Sequence, residues 1–247
     1  LKTIDEIEKY NLPILGIIPA IGKEEKKSKI IDYFKKILNF EKESKTNVKR
    51  KLMMKEDPKS PISEAYRGLR TSMLFSTEKK IKTIVVSSAG PGEGKTTTVA
   101  NLAISYANLG KKTLLIDTDL RRPVVDNVFD LPREPGITNF ITSQTDDFKS
   151  LIKKTEIENL SVITSGLIPP NPSEILGSSR MTKLVKKLED NFDMILFDSP
   201  PLVAVTDANM ISRDMDQIVI VVKVGQTDKK AFHHTISNLH NINAPLG

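Results

Sequence analysis

The run Ala89-Gly90-Pro91-Gly92-Glu93-Gly94-Lys95-Thr96-Thr97 has the composition of a phosphate cradle. Gly90, Gly92 and Gly94 allow a tight backbone path and a close approach to a ligand. A helix starting near Lys95 would aim several N–H groups and the positive end of its dipole into one concavity. Lys95 is then placed to reach the β- and γ-phosphates of a nucleoside triphosphate, and the Thr96 hydroxyl to ligate Mg2+. The strict pattern has glycine at its first position, where this chain has the small residue Ala89.

A phosphate cradle needs acidic partners for its metal, and two further segments supply them. Leu114-Leu115-Ile116 delivers Asp117-Thr118-Asp119-Leu120-Arg121-Arg122, and Met194-Ile195-Leu196-Phe197 delivers Asp198-Ser199-Pro200-Pro201. A single Asp after a strand is often no more than a helix N-cap. These two ends and that of the strand before the phosphate loop, three on one edge, point instead to a ligand site, because wound sheets collect ligands at the carboxyl ends of their strands. Arg121 and Arg122 suit either a phosphate contact or a surface role.

The elements that must position these residues read as a wound α/β fold, a P-loop NTPase with a mostly parallel sheet and helices on both faces. Short runs nearly continuous in Val, Ile and Leu cover Thr83 to Ser87, Thr113 to Ile116, Leu160 to Thr164, Met194 to Phe197 and Ile218 to Val224. Strands covered on both faces have this composition. Helical patterns alternate with them at Lys95 to Leu109, Asp147 to Lys154, Ser179 to Asn191, Asp207 to Arg213 and Asp228 to His240, and the alternation argues for right-handed βαβ winding. Ahead of them, Ser60 and Pro61 open a helix reaching about Phe75, with Ile62, Tyr66, Leu69 and Met73 on one face.

The 247 residues, 38% hydrophobic, suffice for one substantial core, and the absence of cysteine excludes disulfides, thiolate metal sites and iron–sulfur clusters. No apolar stretch reaches the roughly 20 residues of a membrane-spanning helix. Residues 1–20 read as a docking arm. In it, Thr3 and Glu6 form a capping-box pattern for a short helix to about Tyr10, and Leu12 to Ile18 an apolar strand. Residues 21–59 read as a basic, charged linker and 60–247 as the P-loop domain. Gly22 to Ser60 holds 13 Lys/Arg against 7 Asp/Glu, a difference of 6 that equals the whole formal charge of +6. Such a segment is either a solvated linker or a partner for an anionic membrane surface. Few interleaved aromatics argue against nucleic acid as a partner.

The combination resembles the bacterial tyrosine kinases, or BY-kinases, of capsule and exopolysaccharide synthesis. Ala89 to Thr96 is similar to their Walker A motif, Leu114 to Arg121 to Walker A′, and Ile195 to Asp198 to Walker B. Glu64-Ala65-Tyr66-Arg67-Gly68-Leu69-Arg70 resembles the family's E-x-x-R-x-x-R oligomerisation motif, and Pro169 to Leu176 its Pro-Asn-Pro-Ser-Glu loop. These segments lie between about residues 60 and 225.

The resemblance implies a tyrosine kinase using ATP and Mg2+. Lys95 would neutralise phosphate charge, Thr96 and Asp198, with Asp117, would hold the metal, and Asp117 and Asp119 would orient it and receive the tyrosine proton; which Asp is the base stays open. Glu64, Arg67 and Arg70 would meet a neighbouring copy in a ring-like homo-oligomer, although three-residue spacing alone equally describes a surface ion pair. Leu12 to Pro19 resembles the segment that follows the last membrane helix in kinases fused to a polysaccharide co-polymerase. This implies a place at the cytoplasmic face of the plasma membrane, with the membrane domain fused or separate, and tyrosine-containing proteins as substrates. The family's usual C-terminal tyrosine cluster has no counterpart among Tyr10, Tyr33, Tyr66 and Tyr106, and a further strand is expected beyond Leu246.

Two other readings compete. A deviant-Walker partition or division ATPase carries a signature lysine near the start of the loop, where this chain has Ala89-Gly90. A non-catalytic ATP-gated assembly module is the third. His233, His234 and His240 lie on a polar helix without metal-ligand partners and are read as surface or packing residues.

Overall fold

The computed structural model describes residues 1–20, 52–77, 79–143, 147–202, 215–242 and 244–246. Most of the basic segment, Tyr33 and the helix expected at Asp207 to Arg213 lie outside them. In chain order the elements are α1 (Asp5–Glu8), α2 (Met53–Glu56), α3 (Pro61–Phe75), β1 (Thr83–Ser88), α4 (Lys95–Ala107), β2 (Thr113–Asp117), α5 (Val125–Phe129), α6 (Ile137–Thr142) and a 3-10 turn at Lys149–Leu151. They continue with β3 (Lys153–Lys154), β4 (Leu160–Ile163), α7 (Pro172–Leu176), α8 (Ser179–Glu189), β5 (Met194–Asp198), β6 (Gln217–Val221) and α9 (Lys229–Asn241).

Six strands form one sheet in the order β3-β4-β2-β5-β1-β6, and every pairing except β3 with β4 is parallel. Alternation along the strands divides the apolar residues between two cores. Leu114, Ile116, Ile195 and Phe197 join Leu184 and Leu188 of α8 on one face, while Leu115, Met194 and Leu196 join Leu102 and Ala103 of α4 on the other. The α/β architecture with helices on both faces is therefore as the sequence implies. The two kinds of helix show why. In α4 all residues but Thr97 are buried, whereas α8 buries Met181, Leu184, Val185 and Leu188 and turns its lysines to water.

Helix α3 matches its expectation in detail. Ser60 caps it by accepting from Ser63 N–H at 3.1 Å, Pro61 occupies the first turn, and Tyr66, Leu69 and Met73 are buried. Three expectations need correction. Residues 147–154 form the 3-10 turn and the short antiparallel β3, not a helix, because Lys153 and Lys154 pair with Val162 and Ser161. Leu12 to Ile18 is not a strand: it runs over helices, with Leu15 and Ile18 against the core of α3 and α4 and Gly16 close to Leu69, so no ladder partner is available. Thr3 does not cap α1; Ile4 stands at the cap position, and Glu6 accepts from Lys2 N–H at 2.6 Å. Beyond β6, Leu246 makes a parallel bridge to Ile218, where a further strand is expected.

Candidate nucleotide-binding site

The phosphate loop follows β1 directly. Gly92 (φ 76°) and Gly94 (φ 102°) adopt left-handed conformations that an L side chain would strain, which explains glycine at both. Gly94 is the N-cap of α4 and offers no side chain, so the first N–H groups of the helix stay available for an anion. Around the loop, Ser88 Oγ donates to Gly90 O at 2.7 Å, and the Ala89 methyl is buried with Phe232 and Ile236 of α9. Glu93 is nearly buried, and burial pushes its carboxyl up against the opposing pull of the Gly90 and Ala89 backbone and the Thr227 hydroxyl.

Three strand ends meet at the loop, as the sequence implies. Parallel register sets Asp117 of β2 beside Asp198 of β5. Lys95 Nζ lies 2.7 Å from Asp119 Oδ2 and 3.3 Å from Asp198 Oδ1, and Thr96 Oγ1 donates to Asp198 Oδ2 at 2.6 Å. All four side chains are at most about one-tenth exposed. Burial pulls the Lys95 ammonium down, but Asp198 and Asp119 more than offset it, so the group stays charged.

Asp117 is placed differently from the other two carboxylates. It is fully buried; Oδ2 accepts from Val124 and Val125 N–H, each at 3.1 Å, and Oδ1 accepts from Asp119 N–H at 3.2 Å. Burial, with Asp198 beside it, still pushes its carboxyl up to about 8. Asp198 is raised as well, first by burial. Asp119 completes its own set by accepting Arg122 N–H at Oδ1, and the Arg121 and Arg122 residues are exposed at the rim.

The donor set fits Mg2+. Thr96 and Asp198 offer adjacent oxygen ligands, and Asp119 and Asp198 around one ammonium leave negative charge that a hard divalent cation would balance. Mg2+ takes few protein ligands and completes its shell with water and phosphate oxygens, so a larger acidic cage is not required. Sequence reasoning missed the turn after β6. Gln226 Nε2 approaches Pro91 O at 3.5 Å, and a Cβ on Gly92 would sit 3.3 Å from Gln226, so this turn walls the loop. Its position at the carboxyl end of a strand was the available signal.

Comparison with known proteins resolves what kind of phosphate site this is. Residues 81–246 match the AAA domain family. The putative tyrosine-protein kinase CapB of Staphylococcus aureus is 40% identical over 179 residues, covering 72% of this chain and 78% of that protein. The crystal structure of the chimerical protein CapA2B2 superposes with a TM-score of 0.83 at 33% identity, over 99% of this chain and 96% of that one. This chain belongs to the bacterial tyrosine kinases. A putative tyrosine-protein kinase in the cps region of Klebsiella pneumoniae is 27% identical over 98% of this chain, which corresponds to 32% of that longer protein. Family membership favours the kinase over a partition ATPase or a passive module.

Within this tyrosine-kinase fold, the residues of the E-x-x-R-x-x-R segment separate. Glu64 and Arg67 form an ion pair on the outer face of α3, and Arg67 also donates to Pro58 O at 2.6 Å. Arg70 points inward, and its Nη1 donates to Ser105 O at 2.5 Å and Ser105 Oγ at 3.1 Å on α4. The Pro-Asn-Pro-Ser-Glu segment starts α7, with Asn171 at the N-cap and Pro172 in the first turn, just after the exposed Leu167 and Ile168. No helix among the described residues is long and apolar enough to cross a membrane.

Proposed function

We propose that this chain transfers the γ-phosphoryl group of ATP to tyrosine hydroxyls of protein substrates, and thereby regulates capsular or exopolysaccharide synthesis. The observation that carries this reading is the buried cluster of Lys95, Thr96, Asp119 and Asp198 at the carboxyl ends of three strands, beside the glycine-lined loop. Phosphoryl transfer depends mainly on positioning and charge neutralisation, and this cluster supplies both. Lys95 exchanges its carboxylate partners for the β- and γ-phosphates of the incoming nucleotide. Thr96 and Asp198 would hold Mg2+, which would supply charge neutralisation at the phosphates.

That exchange frees Asp119 Oδ2, the oxygen now nearest Lys95. It is the better placed of the two carboxylates to receive the tyrosine proton, whose ordinary pKa is about 10. Asp117 has its oxygens on backbone N–H groups and serves to hold the loop that carries Asp119. Among the described tyrosines, Tyr66 and Tyr106 are buried and pushed up to about 12, so neither is an acceptor in the folded chain. Acceptors are tyrosines of other segments or other proteins.

In this reading the module works at the cytoplasmic face of the plasma membrane, attached to a polysaccharide co-polymerase in cis or in trans, and assembles as a ring through Glu64 and Arg67. The match of nearly the whole chain, arm included, to one third of a longer tyrosine kinase supports an attached arrangement. The decisive assay follows labelled γ-phosphate from ATP to a tyrosine-rich acidic peptide. Wild type labels tyrosine and Lys95→Met falls by about a thousandfold or more. Equal labelling by both, or release of free phosphate alone, rejects the kinase reading.

A further inference from the structure

The helix that presents Lys95 and Thr96 is seated by polar contacts at several points along its length. Its residues Thr98, Asn101 and Ser105 fall on one face, towards α2 and α3. Met54 N–H of α2 donates to Asn101 Oδ1 at 3.0 Å, the Tyr66 hydroxyl of α3 meets the Thr98 side chain, and Arg70 reaches Ser105. Asn101, Ser105 and Tyr66 are all but fully buried, so these ties lie inside the subunit.

The Arg70 contact has a distinct electrostatic meaning. The last four carbonyls of a helix lack intrahelical partners. At the end of α4, Ile104 O accepts from Asn108 N–H, Tyr106 O from Leu109 and Lys111 N–H, and Ala107 O from Gly110 N–H. Ser105 O receives no backbone N–H from this turn; its partner is the Arg70 guanidinium. A cation there also matches the negative end of the helix dipole, whose positive end opens on the phosphate loop.

We infer that Arg70 is an internal C-cap of the phosphate-loop helix, a positioning residue for the nucleotide site, and that within the E-x-x-R-x-x-R segment only Glu64 and Arg67 are left to face a second copy of this chain. The inference rests on the nucleotide reading above. It also links the two faces of α3: a neighbour that shifts Glu64 and Arg67 displaces, through Arg70, the helix that holds Lys95.

The test measures MgADP affinity of the full chain by titration calorimetry, at a dilution where light scattering reports single chains and well below the melting temperature. Arg70→Met is expected to bind MgADP roughly five- to tenfold more weakly, since a buried carbonyl loses its charged donor, and Arg70→Lys to recover most of the loss. Glu64→Gln combined with Arg67→Gln should stay within about twofold of wild type in the single chain while weakening self-association. Unchanged MgADP affinity in Arg70→Met overturns the inference, whether self-association or only the melting temperature falls. Should Arg70→Met not fold, Arg70→Gln and Arg70→Lys take its place, and affinities equal to wild type in both have the same meaning. Failure of wild type itself to bind MgADP would instead remove the nucleotide reading.

Discussion

Two ion-pair systems in this kinase use the same kinds of side chain to opposite ends. At the phosphate loop, Lys95, Asp119 and Asp198 are no more than about one-tenth exposed. On α3, Glu64 is 67% exposed and Arg67 33%. Burial makes the first cluster expensive to leave unpaired, so its members hold each other until a ligand of matching charge replaces one of them. Solvent makes the second pair weak, worth at most a few tenths of a kcal/mol to the single chain, and therefore free to change partners. Trapped charges suit chemistry, whereas the exposed pair is the one that the proposed ring would use.

The largest consequence falls on the trapped side. Asp198→Asn removes a carboxylate that touches both Lys95 and Thr96, and the rate of label transfer at saturating ATP should fall about a hundredfold, with more Mg2+ needed for half-maximal rate. An unchanged Mg2+ requirement would separate Asp198 from the metal.

A smaller effect follows from Asp117. Its folded-state pKa is raised to about 8, above that of an unfolded carboxyl, so between those values the native state binds the extra proton. Its contribution to stability is therefore complete at low pH and is lost as pH rises through about 8. The melting temperature of the nucleotide-free chain should decline from about pH 5 to about pH 8, and Asp117→Asn should flatten that decline. A melting temperature that climbs across this range would mean that Asp117 stays ionised.

The smallest effect belongs to the exposed pair. Glu64→Gln should change the stability of the single chain by less than about 0.5 kcal/mol in urea titration, while lowering the mass of any assembly seen by light scattering. A large loss of stability would place Glu64 in the fold and not at its surface.

The contrast also explains what the sequence could tell. The phosphate loop and the two Asp-bearing strand ends were legible because backbone conformation and ligand charge restrict residue type at each position, as at Gly92 and Gly94. The sheet was legible because strands buried on both faces must be apolar throughout. Residues 147–154 misled because Phe148, Leu151 and Ile152 repeat at helical spacing, while pairing of Lys153 with Val162 and a Lys153 bond to Thr164 decide the conformation. Leu12 to Ile18 has strand composition, but packs on helices. Arg70 lies at the same three-residue interval as Glu64 and Arg67, and only the path of its long side chain to another helix sets it apart.

When nucleotide binds, Lys95 should give up Asp119 and Asp198 for phosphate, and a crystal structure with MgADP and a phosphoryl mimic would show it. Lys95 Nζ is expected within hydrogen-bonding distance of the terminal groups, with Asp119 Oδ2 released towards the acceptor side. Lys95 still seated on both carboxylates, with the glycine-lined loop holding no phosphate, would mean that the buried cluster is not a nucleotide site.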